Sequence, residues 1–283
     1  METNQMKSLY EKVGRTAFVT AQWRAEETEQ PDPLFSDHVA NIFLDNQTLE
    51  STANIAKASP STQLLFRYRT KYFDEKIMAQ INNGIKQFLI LGSGLDTRPI
   101  RLGSDNVRFY EVEQQHVLEF KRQQLEKFGY HSSGRFIPGD YTKIDFLAML
   151  EKEGFDFSMD TFILWEGNVF YLEYEDIVTV LKKLEKKLNT FTITFDYLSK
   201  KLIHRSTGFH KSRDLLDSFS NLGAPWKTGF DNIGELAEQA GLIQVNDFLI
   251  AEYINNLDSE FRVDISLFDH YSICTLQKKT AVQ

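Results

Sequence analysis

The twelve residues Phe88-Leu-Ile-Leu-Gly-Ser-Gly-Leu-Asp-Thr-Arg-Pro99 constrain the fold of this 283-residue chain more than any other stretch. Four apolar residues, too few for a helix of their own, run straight into a glycine-rich turn. That is the pattern of a buried parallel strand whose end meets a ligand. Gly92 and Gly94 remove side chains where the backbone must bend and approach that ligand closely, and Asp96 places a carboxylate beside the bend. A dinucleotide fingerprint, G-x-G-x-x-G, requires a third glycine at 97, where this chain has Thr97 followed by bulky Arg98. The turn is shaped to touch a ligand, and not obviously a pyrophosphate.

Strand-like and helix-like segments alternate from this point. Residues 88–91, 108–112, 135–137, 161–165 and 191–195 read as strands, and residues 114–128, 144–153 and 173–188 as helices. Such alternation predicts an α/β fold with a parallel sheet covered on both faces. Residues 243–250 and 271–276 read as two further strands without the crossover rhythm, which suits a closing antiparallel pair. Residues 1–85 read as helical: one helix carries Arg15, Trp23 and Arg24 and breaks at Gln30-Pro-Asp-Pro-Leu34. A second, capped by Ser61 or Thr62, runs to Asn83 with Leu65, Tyr68, Tyr72, Ile77 and Ile81 on one stripe. Another insert begins near Tyr197, reads as helical to Phe219 and turns at Gly223-Ala-Pro-Trp226. The expected organisation is a helical cap, 1–85, ahead of a sheet domain, 86–283, with a helical insert at about 197–230. Segments of this kind commonly form lids and substrate pockets.

Composition narrows the partners. A formal net charge of -8 disfavours nucleic acid, which needs a basic surface. The lone cysteine, Cys274, excludes an internal disulfide and a thiolate metal cluster, fitting a reducing compartment. The polar start and the lack of any apolar run of membrane-spanning length predict a soluble, unexported, cytoplasmic chain. The 23 Phe and 11 Tyr suffice for an aromatic-lined pocket as well as a core.

Acids recur where the strands end. Glu113 follows Gly92 by 21 positions, close to the ~20-residue spacing at which a carboxylate after the second strand meets a ribose. Glu111, two residues earlier on the same face, is the competing choice. Asp140 follows the third strand in Pro138-Gly-Asp-Tyr141 and Glu166 the fourth in Leu164-Trp-Glu-Gly-Asn168. Ligands of open parallel sheets bind outside these carboxyl ends, so the acids favour a cationic nucleoside over a dinucleotide.

These residues carry a family resemblance. The chain resembles S-adenosylmethionine-dependent methyltransferases of the leucine carboxyl methyltransferase group, in its bacterial O-methyltransferase branch. The signature pair is Arg69-Thr-Lys-Tyr-Phe-Asp74 and Leu91-Gly-Ser-Gly-Leu-Asp-Thr-Arg98. Tyr110-Glu-Val-Glu113, Gly139-Asp-Tyr141, Trp165-Glu-Gly167 and His270-Tyr271 follow in order, and Gly14-Arg-Thr-Ala17, Arg24-Ala-Glu26 and Pro31-Asp-Pro-Leu-Phe35 match the bacterial branch. Together they cover roughly residues 12–278. The resemblance implies a class I, Rossmann-like sheet, mostly parallel with an antiparallel C-terminal strand, and S-adenosylmethionine as cofactor. It implies that Gly92, Ser93, Gly94 and Asp96 approach the cofactor, and that Glu113 takes the ribose. Asp140 and Tyr141 would hold the adenine, Arg69 the methionine carboxylate, and Glu166 the ammonium.

A carboxylate acceptor, ionised at neutral pH, needs no general base, and no His/Asp pair in the chain stands out as one. The expected partner is a small-molecule or peptide carboxylate, with Arg15 and Arg24 as its cationic contacts and Tyr171 and Tyr197 as pocket walls. No catalytic side chain and no metal ligand is expected. A phenol acceptor would need a base, for which His204 and His210 are candidates. A nicotinamide dehydrogenase, disfavoured by Thr97, and a catalytically silent cofactor-binding module are the readings from other classes.

Overall fold

The computed structural model describes residues 14–45, 60–208, 210–221, 223–257 and 267–279. Seven strands, β1 (Gln87–Leu91), β2 (Arg108–Glu113), β3 (Gly134–Pro138), β4 (Thr161–Trp165), β5 (Phe191–Leu198), β6 (Leu242–Leu249) and β7 (Tyr271–Lys278), form one sheet in the order β3-β2-β1-β4-β5-β7-β6. β1 to β5 pair in parallel, and β7 runs antiparallel to both β5 and β6. This is the α/β, mostly parallel architecture expected. The order reverses between β1 and β4, so the crevice for a ligand opens above their carboxyl ends.

Eight α-helices longer than one turn accompany the strands among the described residues: α1 (Arg15–Thr28), α2 (Pro60–Asn82), α3 (Gln115–Lys127), α4 (Phe146–Lys152), α5 (Tyr174–Lys187), α6 (His210–Asn221), α7 (Ile233–Ala240) and α8 (Ile250–Leu257). One face of the sheet packs on α4, α5 and α7 through Leu89, Tyr110, Ile163, Phe146, Leu181 and Leu236. The other packs on α1, α2, α6 and α8, where Val19, Trp23, Leu65 and Phe73 share one cluster with Phe88, Ile90 and Phe162. The N-terminal helices are thus built into the sheet's own core. Each of these large apolar side chains contributes about 1.5–3 kcal/mol by burial. Among the described residues no helix is long and apolar enough to cross a membrane.

Two local departures from the sequence reading have physical causes. α2 starts at Pro60, one residue before Ser61 and two before Thr62, which therefore lie inside the first turn. Proline suits that first position because its missing N–H would have no helical partner there. β5 continues to Leu198, past the expected end at 195, because β7 pairs with it through Asp196, Tyr197 and Leu198. The insert after the fifth strand accordingly begins at Ser199, whose hydroxyl caps a single helical turn, Lys200–Ile203.

Candidate functional site

The chain leaves β1 through Gly92 (φ 64°) and Gly94 (φ 48°), both in the left-handed region where only glycine is unstrained. A Cβ on Gly92 would stand 2.1 Å from the Asn168 side-chain oxygen. That closeness has a structural cause: Asn168 Nδ2 donates to the Gly92 carbonyl (3.0 Å) and to the Glu166 carbonyl (2.7 Å), tying the loops after β1 and β4 together across the crevice.

Over this junction lies a cleft of about 640 Å³. Arg69, Gly92, Ser93, Gly94, Asp96, Glu113, Asp140, Tyr141 and Glu166 all line it, so the structure brings the nine expected cofactor residues to one place. Glu113 closes β2. Its Oε2 accepts from Gly94 N (3.0 Å) and its Oε1 from Gln114 N (2.6 Å). Burial raises its pKa, against those two backbone donors. Glu111 is fully buried in an ion pair with Lys121 and does not reach the cleft, which separates the two competing acids. At the end of β3, Asp140 accepts from the Thr142 amide (3.0 Å) and hydroxyl (2.6 Å) and meets Lys143 Nζ at 2.9 Å. Against the upward push of burial, those donors lower its pKa. The Tyr141 hydroxyl accepts from Trp165 Nε1 (3.0 Å), and burial keeps it protonated.

Beneath the middle of the cleft the charges interlock. Arg69 Nε donates to Glu166 (2.8 Å), and its Nη1 to the Tyr271 hydroxyl (2.9 Å) and Asp196 (3.3 Å). Tyr271 itself donates to Asp196, whose other oxygen accepts from Gly167 N (2.6 Å). The second oxygen of Glu166 meets Arg98 at 2.7 Å. Arg98 holds Asp96 through its amide and its Nη1 (both 2.7 Å) and Asp74 through its Nε (2.6 Å). Against the upward push of burial, Arg98, Lys121 and Arg24 bring Asp96 down to about 2. Asp96 thus lines the cleft as a carboxylate already paired with Arg98.

The acceptor-side expectations divide. Tyr171 lines the cleft, and burial pushes its hydroxyl up to about 12. Arg24 also lines it, but its Nε is held by Asp37 (2.8 Å) and its Nη2 by the Leu95 carbonyl (2.7 Å). Asp37 in turn accepts from the Thr97 hydroxyl (2.7 Å), so the pair clamps the N-terminal helices onto the glycine loop. Tyr197 is not brought to the cleft: it sits on β5, packs on Phe230 and donates to Asp247 (2.7 Å). The expectation of a pocket wall placed Tyr197 in the insert, whereas it is still within β5, paired with Ser272 of β7. The side chains of Arg15 and His210 lie outside the described residues, and His204 is not in the lining. Arg67, two residues before Arg69, pairs with Glu26 and Glu27 of α1.

Asn168, Asp196, Tyr271, Arg98 and Asp37 were not singled out from the sequence. Asp196 and Asn168 had a usable signal, since each follows an expected strand end just as Glu113 and Asp140 do. Tyr271 sat in a quoted motif without a role.

The sequence profile described as leucine carboxyl methyltransferase matches residues 17–185. Over 188 residues the chain is 36% identical to a candidate S-adenosyl-L-methionine-dependent methyltransferase of Mycobacterium tuberculosis, a match covering 60% of each chain. A like-named protein of Mycolicibacterium smegmatis is 34% identical over 173 residues, 56% of this chain and 58% of that one. The matched region thus spans about 60% of the length of these curated relatives. Among solved structures, a DUF574 family protein from Streptomyces avermitilis is similar with a TM-score of 0.66 at 13% identity, covering 96% of this chain and 100% of that one. A candidate methyltransferase from Thermobifida fusca gives 0.60 at 18% identity, over 92% and 94% of the two chains. Both likenesses bear on the fold.

Proposed function

This chain belongs to the leucine carboxyl methyltransferase family, and from that premise we propose that its cleft binds S-adenosylmethionine and directs methyl transfer to a carboxylate, forming a methyl ester. The observation that carries this reading is the convergence of Glu113, Asp140 and Glu166, from the ends of three successive parallel strands, on one glycine-walled cleft at the switch point. An acid-collared cleft fits a cofactor bearing a sulfonium and an ammonium.

Each Glu113 oxygen already accepts one backbone N–H, which fixes the carboxylate for two ribose hydroxyls. Asp140 and Tyr141 take the adenine edge and face. Gly92, Ser93 and Gly94 let the backbone lie against the cofactor's centre. Glu166, held between Arg69 and Arg98, takes the ammonium. With Nε and Nη1 of Arg69 committed to the protein, its Nη2 is the donor assigned to the methionine carboxylate. When bound, the cofactor would supply an activated methyl group, the acceptor oxygen bonding to its carbon as the carbon–sulfur bond breaks and its electron pair returns to sulfur as a neutral thioether. The protein's part is alignment and exclusion of water. Helices α1 and α2 serve as the acceptor-side cover, with α1 held to the glycine loop through Arg24 and Asp37.

A carboxylate, with an ordinary pKa near 4, attacks without losing a proton. Tyr171, the hydroxyl on the acceptor side, stays protonated at neutral pH and acts as a donor to the acid rather than as a base. The test is incubation with methyl-labelled cofactor and a set of acids. Label released as methanol by mild alkali supports ester formation. An alkali-stable product replaces it with phenolic O-methylation, and cofactor binding without transfer leaves a silent binding module.

A further inference from the structure

Tyr271 opens β7, and the register of that strand decides what its ring reaches. Leu198 of β5 faces Tyr271 and Asp196 faces Ile273, so Asp196 and Tyr271 are diagonal neighbours on one face of the sheet. Both are buried, and the Tyr271 hydroxyl donates to Asp196. The entry to β7 is held as well: Ser199 N donates to the His270 carbonyl (2.9 Å), and the Ser199 hydroxyl pairs with His270 Nδ1 (2.9 Å). A phenol and a carboxylate thus stand in fixed relation, carried by an antiparallel strand pair rather than by the loops around the cleft.

Neither side chain lines the cleft; what both touch is Arg69, which does. Arg69 Nη1 donates to the Tyr271 hydroxyl (2.9 Å) and to Asp196 (3.3 Å), while Nε donates to Glu166 (2.8 Å). The guanidinium carbon lies 4.1 Å from the centre of the Phe66 ring. Gly167 packs so close that a Cβ there would stand 3.3 Å from Nη1 and 3.4 Å from Nη2. Because Asp196 also accepts from Gly167 N (2.6 Å), one acid sets both the arginine and the glycine beside it. Nη2 is the nitrogen left for a ligand.

Charge balance alone does not call for the phenol, since Glu166 and Asp196 already present two carboxylates to Arg69. The hydroxyl adds no charge. It adds direction, accepting from Nη1 and donating to Asp196 at the same time. A guanidinium is a planar donor whose N–H groups must point at the lone pairs of the acid it binds. Its rotation therefore decides how much of that bond is made.

We propose that Tyr271 and Asp196 are positioning residues for the cofactor: they set the rotation of Arg69 so that Nη2 meets the methionine carboxylate, and so govern discrimination against nucleosides that lack it. This deepens the Arg69 assignment above and rests on it. The experiment titrates the full chain calorimetrically with S-adenosylmethionine and with decarboxylated S-adenosylmethionine, which lacks only the carboxylate. Wild type prefers the intact cofactor about tenfold or more, as a hydrogen bond between charged groups requires. Arg69→Lys, which keeps the charge and loses the fork, narrows that preference. Tyr271→Phe, which keeps the buried ring, narrows it about threefold or more while affinity for the decarboxylated ligand stays within about twofold of wild type. Asp196→Asn, which drops the charge and keeps an acceptor for Gly167 N, narrows it likewise.

A merely structural role would weaken both ligands alike and leave the ratio unchanged. The wild-type ratio persisting in Tyr271→Phe and Asp196→Asn, equal losses for the two ligands, or failure of both variants to fold overturns the inference. A wild type without preference, or a full preference kept by Arg69→Lys, strikes the Arg69 assignment itself, so the two failures are told apart.

Discussion

The two sides of the cleft are held by different physics. On the cofactor side, position is set by charge: Arg98 alone bridges Asp74, Asp96 and Glu166, and Arg69 bridges Glu166 and Asp196. On the proposed acceptor side, position is set by ring packing of Phe170 and Phe219 on Trp226, two backbone straps from Lys227 and Thr228 to the Phe170 carbonyl, and the buried Arg24–Asp37 pair, with the Lys227–Glu173 pair at the rim. Buried ion pairs tolerate little change, because removing one member leaves a desolvated charge behind. Truncating a packed ring instead opens a cavity in the core, at a cost of about 3–5 kcal/mol for Phe→Ala.

The comparison breaks first at Arg98. Arg98→Ala leaves Asp74, Asp96 and Glu166 short of a partner and should cost about 3–5 kcal/mol of unfolding free energy, read by urea denaturation. A loss below about 1 kcal/mol would show that the network is not what holds this side.

Next is Glu113. Glu113→Ala removes the acceptor set for the ribose and should weaken S-adenosylmethionine binding by up to about 3 kcal/mol, or roughly a hundredfold, with a much smaller change in stability. A variant that unfolds instead would make Glu113 part of the structural network.

Asp96 sharpens the same side through pH. Its folded pKa, about 2, lies below the ordinary 3.8, so its stabilising contribution is present above pH ~4 and is lost as pH falls toward 2. Between those values the wild type should lose roughly 2 kcal/mol more than Asp96→Asn. Parallel curves for the two proteins would contradict the assignment.

The smallest effect belongs to the rim. Lys227→Gln breaks an exposed pair with Glu173 and should change stability by less than about 0.5 kcal/mol. It should leave cofactor affinity alone. A larger shift in either would bring the rim into the network.

Legibility in the sequence follows the same division. The strands were readable because their burial is local and periodic, and Glu113, Asp140 and Glu166 because ligands gather at strand ends. Tyr197 misled because the length of β5 depends on β7, more than seventy residues away in the chain. Arg69 was readable as a cation near the ligand, but its ties to Asp196 and Tyr271 span 127 and 202 residues. No short-range pattern encodes them. The packed rings are scattered likewise: Phe66, Phe170 and Phe219 meet only once α2, the turn after β4 and α6 are packed. Only a generous count of Phe and Tyr announced them.

The central claim is that the acid-collared cleft is a nucleoside cofactor site, and calorimetric titration of S-adenosylmethionine into the wild type, Glu113→Ala and Asp140→Ala tests it most directly. The account predicts one site per chain in the wild type and affinity reduced about fivefold to a hundredfold in each variant, from a loss of about 1–3 kcal/mol. Absence of binding in the wild type, or equal affinity in all three proteins, would contradict it.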